Sequence, residues 1–276
     1  MAAIKFVLIL LCLVVILPNI SCQKRPFWRL PARKQKPTLP PIEINPEFYR
    51  KLQQIPPKNE TARKVITNIL RILPKGKRGI KLEDVVVVMD GSGSIETCGF
   101  TNGKKAMQSL IKYKQSGINA KYAMVTFAND AKINFNFLSH DEAVAKISGI
   151  KHFGGGTNTQ AGLGAAFKLF KKGSRGSHSR KVLLLLTDGQ PNIKKEKTVP
   201  SAKRLKDSGV EVFVIAIGGQ HIYGIQEMAK VASFPPAKFL FRVKKAGDFL
   251  EVVKLAIKQV SPGQYKLVEK YKSTCP

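Results

Sequence analysis

Acidic residues are scarce in this chain: 18 Asp and Glu stand against 47 Lys and Arg, a formal net charge of +29 over 276 residues. That excess predicts attraction to polyanions, and in a cytosolic protein nucleic acid would come first among them. Histidine is scarcer still. His140, His152, His178 and His221 are scattered singly, the pattern of surface and packing residues rather than of a histidine metal centre or a general base. After the N-terminus no apolar run is long enough to span a bilayer. There is no internal repeat. The hydrophobic fraction of 43% nevertheless excludes wholesale disorder and allows a sizeable core.

The first residues redirect the charge argument. Lys5 precedes the apolar run Phe6 to Leu17, which is followed by Pro18 and the small residues Ser21 and Cys22. As a helix that run reaches only about 18 Å, against a hydrocarbon core of about 30 Å. The pattern is that of a signal peptide over residues 1–22, so a secreted, extracellular protein is expected. A lipoprotein reading with Cys22 as the anchor is weakened by Asn19. Nucleic acid then gives way to sulfated polysaccharide, acidic matrix protein, or an anionic or mineralised matrix as the polyanion. If cleavage follows Cys22, only Cys98 and Cys275 remain, an even pair in an oxidising compartment.

Residues 23–81 read as a basic, proline-rich N-terminal arm or pro-segment. Within it Val65, Ile66, Ile69, Leu70, Ile72 and Leu73 recur at helical spacing until Pro74. This short helix is expected to dock on the folded domain; an amphipathic membrane or partner contact is the alternative. Lys75-Gly76-Lys77-Arg78 reads as a basic linker or a processing site, and Asn59-Glu60-Thr61 as a glycosylation acceptor. From Leu82 to Val260 strand-like and helix-like runs alternate. That order predicts an α/β fold: a doubly wound, mostly parallel open sheet. The short turn Asn129-Asp130-Ala131 adds one antiparallel edge strand, and residues 261–276 form a C-terminal tail.

Three segments carry chemistry. Val85 to Met89 is a buried-strand run that ends in Asp90-Gly91-Ser92-Gly93-Ser94. One carboxylate and two hydroxyls at alternate positions of a turn converge on a point, which suits Mg²⁺ or Mn²⁺. Gly154-Gly155-Gly156-Thr157 offers another hydroxyl before a helix. A second apolar strand ends in Thr187-Asp188-Gly189. Helix capping and turn formation alone would explain one such segment, but not three. In doubly wound sheets the C-terminal strand ends are where ligands bind.

The order DxSxS, GGT, TDG resembles the von Willebrand factor type A domain and its metal-ion-dependent adhesion site. The resemblance implies that Ser92, Ser94 and Asp188 ligate a divalent cation directly or nearly so, with Asp90 and Thr157 acting directly or through water. It also implies an adhesion function, in which a Glu or Asp carboxylate of a matrix or cell-surface protein completes the coordination.

Catalysis is not expected. A strand-terminal aspartate also opens the phosphatase motif of haloacid-dehalogenase type, but that chemistry needs a second aspartate where Ser92 stands. No nucleophile elbow and no P-loop lysine occur. The alternative binding reading uses basic clusters, Lys171-Lys172, Arg175, Arg180-Lys181 and Lys194-Lys195, to hold a sulfated polysaccharide, with a purely structural metal. An ordinary solvated basic face accounts for those clusters equally well.

A Cys98–Cys275 disulfide is expected. The last helix should run down from the top of the sheet, and the residues after Val260 must climb back. They extend to about 50 Å, against a helix of about 21 Å. A buried free Cys98 with an interchain Cys275 is the competing arrangement.

Overall fold

The computed structural model describes residues 46–72 and 80–274. The expected signal peptide, the first half of the basic arm, the Lys75–Arg78 segment and Cys275 lie outside them.

Six strands form one sheet: β1 Lys81–Asp90, β2 Ile118–Phe127, β3 Ala131–Leu138, β4 Ser179–Thr187, β5 Val210–Ile217 and β6 Leu240–Val243. Their order is β3-β2-β1-β4-β5-β6. All neighbours are parallel except β3, which pairs antiparallel with β2 at the edge. The central run Val85–Val88 lies opposite Tyr122–Val125 on one side and Val182–Leu185 on the other. Covered on both faces, these strands carry continuous apolar sequence rather than alternation.

Helix α1 spans Pro46–Gln53 and α2 Lys58–Lys64, and α2 continues as a wider-turned π-helix over Val65–Leu70. Thus two helical segments occupy the stretch where the sequence pattern marks one. Ala62, Val65 and Ile69 are buried in the core. The main helices are α3 Glu96–Lys112, α4 His140–Ser148, α5 Thr159–Gly173, α6 Thr198–Asp207 and α7 Ile225–Val231; after them come a short α8 Pro236–Phe239, then α9 Ala246–Val260 and α10 Pro262–Glu269. Helix α3 packs on α4 and α9, and α2 on α9; α5 packs on α6, and α6 on α7. Helix α5 approaches the sheet at Gly162, where a Cβ would lie 2.8 Å from the Phe127 ring and 3.0 Å from Val88. Only a glycine allows that distance, which fixes the start of α5 over the end of β1.

The tail differs from a simple extended return. Residues 262–269 are helical, and the chain then reaches the start of α3. There Asn102 Nδ2 donates to Ser273 Oγ at 2.9 Å, the Thr274 amide donates to Asn102 Oδ1 at 3.2 Å, and Lys105 Nζ donates to the Lys272 carbonyl at 2.7 Å. Cys98 is disulfide-bonded. Among the described residues no helix is long and apolar enough to cross a membrane.

Candidate metal centre

Parallel strands end on the same edge, so β1 and β4 deliver Asp90 and Asp188 side by side. Gly91 turns the chain off β1, its amide held by the Phe127 carbonyl at 2.7 Å. A 3-10 turn over Gly93–Ile95 then leads into α3. The Ser92 amide donates to Asp90 Oδ1 at 2.9 Å, the local Asp turn that fixes the carboxylate. Thr187 donates to Asp90 Oδ2 at 2.7 Å. The Ser92 and Ser94 hydroxyls share a hydrogen bond of 3.1 Å, and Ser94 donates to Asp188 Oδ1 at 3.0 Å. Four of the five residues marked by the sequence therefore form one hydrogen-bonded chain.

The fifth, Thr157, lies in the adjoining loop. Gly155 sits at φ +104, which favours glycine, and its carbonyl accepts from the Gly93 amide at 3.0 Å. The Thr157 amide donates to Asn192 Oδ1 at 2.8 Å, while the Asn192 and Ile193 amides return bonds to the Thr157 carbonyl. Asn129 holds the same loop from the other side by accepting from the Gly156 amide at 2.6 Å. His152 lies 3.0 Å from the Ser92 carbonyl through Nε2 and 3.2 Å from Thr97 Oγ1 through Nδ1. Asn129, Asn192 and His152 were not marked by the sequence. Their types are too common in loops to stand out, and only the fold brings them to the site.

The electrostatics fit a hard cation. Asp90 is fully buried and Asp188 partly so, and burial raises both above the usual carboxylate range, Asp90 to about 6. Neither carboxylate is paired with a Lys, Arg or His among the described residues. Two carboxylates accompany three hydroxyls, and no group of three or more His, Cys, Asp or Glu is present among the described residues. That donor set suits Mg²⁺ or Mn²⁺ better than a soft metal. Ser94 is exposed, so the centre is open to a partner. A cleft of about 670 Å³ adjoins it, lined by Ser94, Asp188, Glu96, Lys244, Lys245 and Glu251 among others.

Residues 84–255 match the family model of the von Willebrand factor type A domain. The chain belongs to that family. It is 30% identical to the human collagen alpha-6(VI) chain over 158 residues, 54% of this chain and 7% of the relative. To human matrilin-1 it is 29% identical over 144 residues, 49% of this chain and 28% of the relative. The chain thus spans less than a third of these relatives. The fold is similar to that of proximal thread matrix protein 1 from the mussel byssus, with a TM-score of 0.57 and 22% identity over 66% of this chain and 48% of that one. A further structure of the mussel protein holds zinc in its MIDAS motif, the metal-ion-dependent adhesion site.

The basic residues singled out above divide between the two ends of the sheet. Lys171 and Lys172 end α5 at the edge away from the metal loops, whereas Lys194 and Lys195 follow β4 at the metal edge. Arg175 and Arg180 have internal partners. Arg175 bonds the fully buried Asp84 through Nε at 2.8 Å and its amide at 2.7 Å, and also the carbonyls of Glu83 and Asn119. Arg180 pairs with Glu83 and Glu211 and donates to the carbonyls of Asn68 and Ile69. Lys181 is half-buried at the start of β4. Asn59 is exposed in the first turn of α2, with Thr61 buried and donating to the Pro57 carbonyl.

Proposed function

We propose that this domain is an extracellular adhesion module that captures an acidic side chain of a matrix or cell-surface protein. Asp90, Ser92, Ser94, Thr157 and Asp188 would hold Mg²⁺ or Mn²⁺, and the ion when bound would supply a coordination position for the partner's carboxylate. The observation that carries this reading is the chain Asp90–Ser92–Ser94–Asp188, which has two carboxylates without a cationic partner and reaches solvent at Ser94. Five donors leave a six-coordinate ion short of one ligand. Asp90 and the Thr157 loop set the position of the exposed donors, while Lys194, Lys195, Lys244 and Lys245 at this edge raise the local concentration of acidic partners.

The collagen and matrilin relatives support a matrix setting, and the N-terminal signal pattern supports secretion. The curated relatives include matrix and adhesion proteins, and on that ground we read the protein as a binder and not an enzyme. The polysaccharide reading is weaker, because two of its seven residues are engaged inside the domain and the others fall at two ends.

Binding of the secreted chain to immobilised matrix proteins and to heparin, titrated with EDTA and with salt, tests this reading. Metal-bridged binding to protein is lost in EDTA and restored by Mg²⁺. Binding that ignores EDTA and falls steeply with salt would transfer the function to the basic surface.

A further inference from the structure

Behind the metal loops three buried oxygens have no hydrogen-bond partner in the protein: Thr159 Oγ1, Thr198 Oγ1 and Glu227 Oε2. Thr159 and Thr198 are 3% and 1% exposed. All three residues line one cavity, which has about 10 Å³ open to the centre of a water molecule. They come from separate elements, the first residues of α5 and α6 and the first turn of α7. Buried polar atoms almost always have a partner. Three lone oxygens around one space therefore point to a shared guest. Burial raises the Glu227 carboxyl above its usual range, while the charge of Lys195 and the nearby Thr198 hydroxyl favour the anion.

Size and chemistry restrict that guest. A buried water needs about 10–15 Å³ and two to four polar partners, and both conditions are met here. A carboxylate oxygen among hydroxyls suits a small hard cation equally. Thr187 and Gly189 also line the cavity. Thr187 is the residue that donates to Asp90, and Thr159 lies two positions after Thr157.

We infer that this cavity is a second, internal site holding one oxygen-bound guest, a water molecule or a sodium ion, which braces the metal loops from behind. Occupancy of the site is independent of the adhesion metal; only the bracing role rests on the metal reading above.

Thr198→Val and Thr159→Val in the full chain, unfolded thermally in EDTA, test occupancy without the adhesion metal. With a guest present, each variant removes one of its partners and lowers Tm by about 2–4 °C. With no guest, each replaces an unsatisfied buried hydroxyl by a methyl, which is neutral or stabilising. A lower Tm in either variant supports the site; unchanged or raised values in both overturn it. Should neither variant fold, a high-resolution crystal structure of the wild-type chain decides, through density bridging the three oxygens or a bare cavity. Replacing sodium chloride by choline chloride at equal concentration lowers the wild-type Tm if the guest is sodium and leaves it unchanged if the guest is water. The bracing role predicts a several-fold loss of Mg²⁺ affinity in Thr198→Val; an unchanged affinity alongside a lower Tm would keep the guest and remove the bracing.

Discussion

The Thr187 hydroxyl donates to Asp90 Oδ2 at 2.7 Å, joining the last residues of two adjacent parallel strands beneath the candidate metal centre. The bond holds a fully buried carboxylate in place with neutral donors only, and burial raises that carboxyl to about 6.

This sets a pH dependence for the metal-free protein. Asp90 binds its proton more tightly folded than unfolded, so the native state holds the extra proton between about pH 4 and pH 6. Stability from this group is therefore present at low pH and lost as pH rises through 6, a change of about 3 kcal/mol. Urea unfolding in EDTA, wild type against Asp90→Asn, isolates the contribution. A stability difference that stays constant from about pH 4 to 7.5 would refute the assignment.

Metal binding should reverse that loss at neutral pH. Mg²⁺ at about 100 times its Kd adds about 2.7 kcal/mol to the wild type. Asp188→Ala removes one of the two carboxylates and should abolish this gain while leaving the fold intact, since Asp188 is not part of the core. Far-UV circular dichroism checks the fold and calorimetric titration the affinity. An unchanged Mg²⁺ affinity in both Asp188→Ala and Asp90→Ala would remove the metal from this site.

Much of this fold is legible because both faces of the sheet are covered. The runs Val85–Val88 and Val182–Leu186 are apolar throughout, and β1 and β4 end at or beside the expected Asp90 and Asp188. The helices that were hard to read are those with little to bury. Helix α1 buries only Tyr49 among its residues, and α10 in the tail buries only Val268, so each is too short to give a sustained apolar signal. Helix α3 begins at Glu96 and carries Gly99 and Gly103 in its first turns, where its apolar pattern is weak. Gly103 faces Met89 and Leu186, close to the end of the sheet. At the site the ligand types were legible from the turn chemistry. The posts Asn129, Asn192 and His152 were not, since their roles depend on loops meeting across the sheet edge. Arg175 and Arg180 looked like surface charge for the same reason: Asp84, Glu83 and Glu211 reach them only through strand pairing.

Those arginines give a test that separates structural from recognition charge. Arg175→Ala leaves Asp84, fully buried, without its cation. Breaking such a pair costs about 3–5 kcal/mol, so the variant should unfold well below the wild type. Lys171→Ala with Lys172→Ala should leave stability within about 0.5 kcal/mol, because both are exposed. Chemical denaturation of both variants reads the two effects. An Arg175→Ala variant as stable as the lysine variant would return Arg175 to the solvated surface.

The last prediction concerns the C-terminal tail. Cys98 is disulfide-bonded and lies in the first turn of α3. One turn further on, Asn102 receives the Thr274 amide and donates to Ser273, so the residue before Cys275 is fixed beside that helix. From this placement we predict an intramolecular Cys98–Cys275 bridge, with an interchain bond through Cys275 as the competing arrangement. Closing so long a loop contributes about 4–5 kcal/mol in the chain-entropy model. Non-reducing peptide mapping of the chain produced under oxidising conditions should find the two cysteines in one linked pair within a monomer. Cys98→Ser should lower Tm and release the tail to proteolysis, and Asn102→Ala should do the second without much of the first. A covalent dimer linked through Cys275, or a Cys98→Ser variant with an unchanged Tm, would refute the bridge.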